Sequence, residues 1–115
     1  MRQRMSIALM TVAVAGVGSG LGVAQDASKA EKGKTVFAEQ KCKICHSVAG
    51  VGNPKGPLDD VGSKLTADEI KQWLKTPKEM AEKAKATRKP PMKSFASLPP
   101  AQLDALAAYL ETLKK

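Results

Sequence analysis

Apolar residues recur at the spacing of an α-helix across residues 29–41. Ser28 and Glu31 form an S-x-x-E capping box ahead of this stretch, which is a signature of a helix N-terminus. Gly33 and Phe37 fall on the same face of the predicted helix. Because glycine lowers helix stability by about 1 kcal/mol relative to alanine, we expect Gly33 to lie where this helix crosses another one closely.

Two later stretches have the same periodicity. Thr66 and Glu69 form a second capping box, and the helix that follows should end before Pro77. The residues expected to be buried on this helix are Ile70, Trp73 and Leu74. The last predicted helix covers residues 100–114. Its expected apolar face consists of Leu103, Leu106, Ala107 and Leu110, with Tyr109 beside them.

The segments between these helices are less regular. Residues 49–64, AGVGNPKGPLDDVGSK, are too rich in glycine and proline to predict regular structure. Residues 78–89 are strongly charged and could form a solvated helix, after which Pro90 and Pro91 enforce an extended segment leading to Met92. No run of Val, Ile and aromatic residues predicts a strand. The pattern predicts a single all-α domain with three to four helices.

The first 24 residues differ from the rest of the chain. Arg2 and Arg4 precede an apolar run at residues 7–17, and small residues follow it. This order predicts a secretory signal peptide at residues 1–24, cleaved after Ala24, and a mature domain at residues 25–115 in the periplasm. The alternative is an uncleaved signal that anchors the protein to the membrane, although the apolar run is short for a span of about 20 residues.

The mature domain carries an excess of positive charge. Without Arg2 and Arg4, 17 basic side chains remain against 11 acidic ones, which gives a formal net charge of +6. Almost all are lysines, with Arg88 as the only arginine. Nucleic-acid recognition favours arginine and stacking aromatic residues, and both are scarce here, so we expect no nucleic-acid binding. Lysines suit a transient encounter with an acidic protein surface, and the alternative is that they only maintain solubility.

Both cysteines and the only histidine of the chain lie in the pentapeptide CKICH, as Cys42, Cys45 and His46. A structural zinc site usually needs four ligands, and these are the only three candidates. A thioredoxin-like dithiol usually lies at a helix N-terminus after a strand, in a βαβ unit, and the sequence of this chain predicts no such strand. The remaining interpretation is one covalently attached haem c, with both thiols bonded to the ring and His46 as an axial ligand of the iron.

The second axial ligand determines whether such an iron transfers electrons or binds small molecules. With no second histidine, the candidates are Met10, Met80, Met92 or a lysine. Met10 would leave with the signal peptide. Met92 lies on a proline-framed loop followed by Phe95, where a thioether can be held among apolar side chains. We therefore favour Met92, with Met80 as the alternative.

Taken together, these motifs resemble the small exported class I cytochromes c that carry one haem. The resemblance spans nearly all of residues 29–113 and rests on the stretches GKTVFAEQKCKICH, GPL, IKQWLKTP, PPMKSF and LDALAAYL. It implies a cytochrome c fold, in which helices and loops wrap around one covalent haem. It also implies thioether bonds at Cys42 and Cys45 and axial ligation by His46 and Met92.

The same resemblance implies roles for residues around the haem. The carbonyl of Pro57 would accept a hydrogen bond from the ring of His46, and the Trp73 indole would lie near a haem propionate. Gly33 and Phe37 would pack across residues of the last helix, namely Leu106 and Tyr109.

An iron with His and Met ligands has no position for a substrate. The resemblance therefore predicts a monomeric periplasmic electron carrier that is not an enzyme and that meets acidic docking surfaces on its redox partners. One alternative is a five-coordinate haem protein that binds a small gas or peroxide. The four-helix-bundle cytochromes that do so have a sequence pattern in which the haem motif lies near the C-terminus. In this chain the motif lies near the N-terminus of the mature domain. Another alternative is a dedicated haem subunit of a larger oxidoreductase.

Overall fold

The computed structural model describes residues 20–115, and the side chains from residue 27 onward. Residues 1–19 of the predicted signal peptide, and with them Met10, lie outside the described residues. The elements in chain order are α1 (Gly20–Glu39), a 3-10 turn (Cys42–Ile44), β1 (Ser47–Val48), β2 (Val51–Gly52), α2 (Val61–Lys64), α3 (Ala67–Lys75), α4 (Pro77–Ala84) and α5 (Pro100–Glu111). The described part of the chain is mostly helical, which confirms the all-α prediction.

Helix α1 begins earlier than the sequence predicted. Ser28 and Glu31 lie inside the helix, so the prediction that they cap its start was wrong. The physical reason is that no proline interrupts the chain between Gly20 and Ser28, and several good helix formers precede Ser28. The helix ends at Glu39, two residues before the predicted end, and Lys41 then adopts a left-handed backbone conformation with φ 58°.

The core forms where α1 crosses α5. A Cβ atom on Gly33 would overlap the carbonyl oxygen of Ala105 and lie 2.6 Å from the Cβ of Tyr109. The Phe37 and Tyr109 rings meet edge to face with centroids 5.7 Å apart. Leu106 is fully buried beside them. The expected close crossing at Gly33 is therefore confirmed, as is its packing against α5.

Helix α3 packs against the same core. The Thr66 hydroxyl accepts a hydrogen bond from the backbone N–H of Glu69, and the Glu69 carboxylate accepts one from the N–H of Thr66. This confirms the capping box. Ile70 and Leu74 are buried at 2% and 3% exposure, whereas Trp73 is half-buried. The backbone N–H of Phe95 donates to the carbonyl of Leu74 at 2.7 Å, which holds the chain after α4 against α3.

The loop that was predicted to be irregular contains short regular elements. Strands β1 and β2 form an antiparallel hairpin, and α2 adds one helical turn. The hairpin reverses through Ala49 and Gly50, which both have positive φ. Helix α2 is tied to the C-terminal end of the chain, because the N–H of Gly62 donates to the carbonyl of Leu113 at 2.8 Å.

The remaining helices are shorter than predicted. Helix α4 ends at Ala84 because Lys85 adopts a left-handed conformation with φ 54°. Helix α5 ends at Glu111. Its buried side consists of the four residues expected from the sequence and of Ala105. None of the described helices is both long and apolar enough to cross a membrane.

Candidate functional site

A cavity of about 900 Å³ opens between the helices and the loop that precedes α5. Its walls are mainly apolar and come from the end of α1, from α3, α4 and α5, and from residues 85–95. The CKICH turn contributes Cys42, Cys45 and His46, and the loop contributes Met92. With Trp73 from α3, the fold thus brings five of the six predicted site residues, from segments distant in sequence, to one cavity.

The CKICH turn begins where α1 stops. The left-handed conformation of Lys41 redirects the chain into the 3-10 turn, and the N–H groups of Cys45 and His46 both donate to the carbonyl of Cys42, at 3.1 and 2.8 Å. This tight turn places both half-buried cysteines at the cavity, and they are not joined by a disulfide. Burial raises the pKa of the Cys42 thiol to about 11.

His46 is held by a hydrogen bond between its Nδ1 and the carbonyl oxygen of Gly56, 3.1 Å apart. Since a carbonyl can only accept, Nδ1 carries the proton and Nε2 keeps the lone pair that a metal needs. Burial lowers the pKa of His46, the nearby Arg88 cation lowers it further, and the hydrogen bond to Gly56 acts in the opposite direction. The net lowering of the His46 pKa favours the neutral imidazole, which is the form that binds iron.

The prediction that the Pro57 carbonyl accepts this hydrogen bond was wrong by one residue. Ser47 pairs with Pro57 in a parallel bridge, in which the N–H of Ser47 donates to Gly56 at 3.0 Å and the N–H of Leu58 donates to Ser47 at 2.9 Å. This register directs the Gly56 carbonyl toward the CKICH turn. Pro57 itself is exposed and is not part of the cavity wall.

The two candidate methionines lie in different places. Met92 is half-buried, packs against the hydrophobic core and lines the same cavity as His46. Met80 lies on α4 in a separate groove of about 290 Å³, together with Glu79 and Lys83, and does not line the large cavity. The geometry therefore separates the two candidates that the sequence left open.

Trp73 lines the cavity from α3 and is half-buried. Its contact with a haem propionate stays a prediction. Arg88 also lies at the cavity, and its guanidinium donates a hydrogen bond to the carbonyl oxygen of Cys45. Arg88 was not identified from the sequence as a site residue. Arg88 is the only arginine of residues 25–115, and that was a usable signal.

The residues of the cavity fit a covalently attached haem. Two cysteines that form no disulfide lie on one tight turn, an imidazole whose Nε2 is available to a metal follows them, and a thioether lines the same apolar space. Over residues 27–115, no group of three His, Cys, Asp or Glu side chains is arranged to hold a metal ion. The zinc alternative therefore gains no support from the geometry.

The model of the family described as Cytochrome c matches residues 30–114, which is most of the chain. No curated protein and no solved structure matches the chain. The matched region contains the CKICH turn, the cavity and Met92.

Proposed function

Because the chain belongs to the cytochrome c family, we propose that it is a periplasmic electron carrier with His46 and Met92 as the axial ligands of its iron. Family membership makes the protein a haem c electron-transfer protein, and Cys42 and Cys45 fit the attachment of that cofactor. The ligand pair, the location and the role of a free carrier are the proposal.

When bound, haem c supplies an iron that is reduced and reoxidised by a single electron. The residues of the chain control that chemistry. Cys42 and Cys45 anchor the ring, and the Gly56 carbonyl fixes the orientation of the His46 imidazole. The thioether of Met92 would be a weak donor that favours Fe(II); as the second protein ligand of the iron it would leave no position for a substrate, which is why we propose a carrier and not an enzyme.

One observation carries the ligand assignment: Met92 lines the cavity that contains His46, whereas Met80 lies outside it. The apolar side chains around Met92 support the same assignment. Met92 packs against the hydrophobic core, and such apolar surroundings disfavour water, which would otherwise compete with the thioether for ferric iron. Met92 also precedes buried Phe95 by three residues, and the hydrogen bond from Phe95 to Leu74 fixes this end of the loop.

The test compares two methionine variants of the haem-loaded protein. Met92→Ala should abolish the charge-transfer band between the thioether and ferric iron. Met80→Ala removes the same side chain from a position on α4 that does not line the cavity, and should leave the band unchanged. Loss of the band in Met80→Ala, or its persistence in Met92→Ala, would refute the assignment.

We also propose that the protein meets its redox partners through a basic rim around the cavity. Lys41, Lys78, Lys85 and Lys93 line the cavity and are exposed. Such a rim attracts acidic docking surfaces over a distance of about 10 Å at 0.1 M salt. Rates of electron transfer to a purified partner should fall as salt rises, and rates independent of salt would contradict the proposal.

The location is tested on the exported protein. Removal of the predicted signal peptide would leave a chain that starts at Gln25, within the residues of α1. Mass spectrometry of the periplasmic fraction should find this chain with one covalent haem. A chain that retains Met1 in the membrane fraction would support the anchored alternative instead.

A further inference from the structure

One side chain connects the two segments that supply the proposed iron ligands. We propose that Arg88 is a positioning residue that holds residues 87–93, called here the Met92 loop, against the CKICH turn and so keeps Met92 on the iron. This inference rests on the proposed ligation by His46 and Met92.

The guanidinium of Arg88 contacts the His46 side of the site at two points. Its Nη2 donates to the carbonyl oxygen of Cys45, 43 residues earlier in the chain. It also lies against Gly56, where an added Cβ would collide with Arg88 Nη1 and with the Cys45 carbonyl oxygen, and would lie 2.9 Å from Arg88 Cζ. Gly56 is the residue whose carbonyl holds the His46 ring. Arg88 therefore packs against both the end of the CKICH turn and the support of the imidazole.

The Met92 loop has few other polar attachments. Before it, the N–H of Ala86 donates to Ala81 at 2.9 Å, and after it the hydroxyl of Ser94 donates to the carbonyl of Lys75 at 2.7 Å. Among the hydrogen bonds of the described residues, the bond from Arg88 to Cys45 is the only one that involves the loop between these two points. Segments with few hydrogen bonds and partly exposed side chains open at low free-energy cost.

Opening of this loop has a direct consequence for the iron site. Met92 is half-buried and follows Arg88 by four residues, so displacement of the loop withdraws the thioether from the cavity. A hydrogen bond from a charged donor is stronger than a neutral one, and the planar fork of arginine contacts two neighbours at once. Lysine keeps the charge but offers no fork, so it should replace Arg88 only in part.

The experiment measures how often Met92 leaves the iron. Carbon monoxide can bind ferrous iron only after Met92 dissociates, so its association rate reports the opening of the loop. In Arg88→Ala this rate should rise roughly three- to tenfold, and the ferric thioether band should weaken. Arg88→Lys should give intermediate values. The matched control is Lys89→Ala, which removes an exposed cation from the same loop and should change the rate less than about twofold.

The outcomes separate this inference from the function on which it rests. If the unmutated protein lacks the thioether band, the proposed ligation itself fails. If the band is present but Arg88→Ala matches the unmutated protein, or if Lys89→Ala has the same effect as Arg88→Ala, only the role of Arg88 is refuted. Arg88 is exposed, so its truncation should leave the core intact. Arg88→Leu, which retains apolar volume at the cavity, provides the same comparison if the alanine variant does not incorporate haem.

Discussion

Replacement of Gly33 by alanine should destabilise the protein, although alanine is the better helix former. Gly33 is buried at the crossing of α1 and α5. An added Cβ would overlap the Ala105 carbonyl oxygen and lie 2.6 Å from both the Ala105 carbonyl carbon and the Tyr109 Cβ. All three atoms are backbone or Cβ, so no change of rotamer can relieve the overlap. The two helices must move apart, which loosens the packing of Phe37 against Tyr109.

The expected magnitude follows from two opposing effects. Overpacking of a close-packed core costs about 1–3 kcal/mol, and the backbone overlap here places Gly33→Ala at the upper end of that range. The higher helix propensity of alanine returns about 1 kcal/mol. The net loss should be about 2 kcal/mol, which for a domain of this size lowers the melting temperature by roughly 10 °C.

Chemical denaturation of the haem-loaded protein measures this loss as a shift of the midpoint at an unchanged slope. Ala38→Gly is the matched control, because Ala38 is exposed on the same helix and loses only helix propensity, about 1 kcal/mol. At the exposed position 38, the protein with alanine should therefore be more stable than the protein with glycine. At the crossing, position 33, the protein with glycine should be the more stable one. A Gly33→Ala variant as stable as the unmutated protein, or more stable, would refute the close crossing.

Two further predictions concern helix α3. Thr66→Ala removes the hydroxyl that accepts the N–H of Glu69 and should cost about 1 kcal/mol of unfolding free energy, with Thr66→Ser retaining most of it; equal midpoints for Thr66→Ala and Thr66→Ser would contradict the cap. The hydrogen bond and charge of Lys71, 2.7 Å away, hold the pKa of Asp104 below its ordinary value. The pair therefore stabilises the fold above the unfolded pKa of about 3.9 and ceases to do so as pH falls through the lower folded pKa. Asp104→Asn should thus lower the denaturation midpoint slightly at pH 7 and match the unmutated protein near pH 2, and a difference independent of pH would contradict this.

Features that depend on neighbouring residues could be predicted from the sequence. The Thr66–Glu69 box is a contact between residues three positions apart, and the apolar face of α5 follows from helical periodicity. Gly33 was informative because glycine is unfavourable within a helix. A close crossing with another helix was the physical reason to expect for its presence there. The C-x-x-C-H spacing was informative because all of its reactive residues lie in one turn.

Features set by tertiary contacts could not be predicted in this way. The predicted start of α1 was wrong because the S-x-x-E pattern can also occur inside a helix, when the residues before it are themselves helical. Gly56, and not Pro57, accepts the His46 hydrogen bond because the pairing of Ser47 with Pro57 sets the register of that loop. The contact of Arg88 with Cys45 spans 43 residues, so no local pattern contains it.

The account depends most on the claim that both axial positions of the iron are filled by the protein. The most direct test is the absorption spectrum of the reduced, unmutated protein before and after addition of carbon monoxide at neutral pH. With His46 and Met92 on the iron, the spectrum should stay that of the six-coordinate ferrous protein over the time of mixing, and carbon monoxide should bind only slowly. Rapid and complete carbon monoxide binding would show an open iron, and would contradict the assignment of this protein as a closed electron carrier.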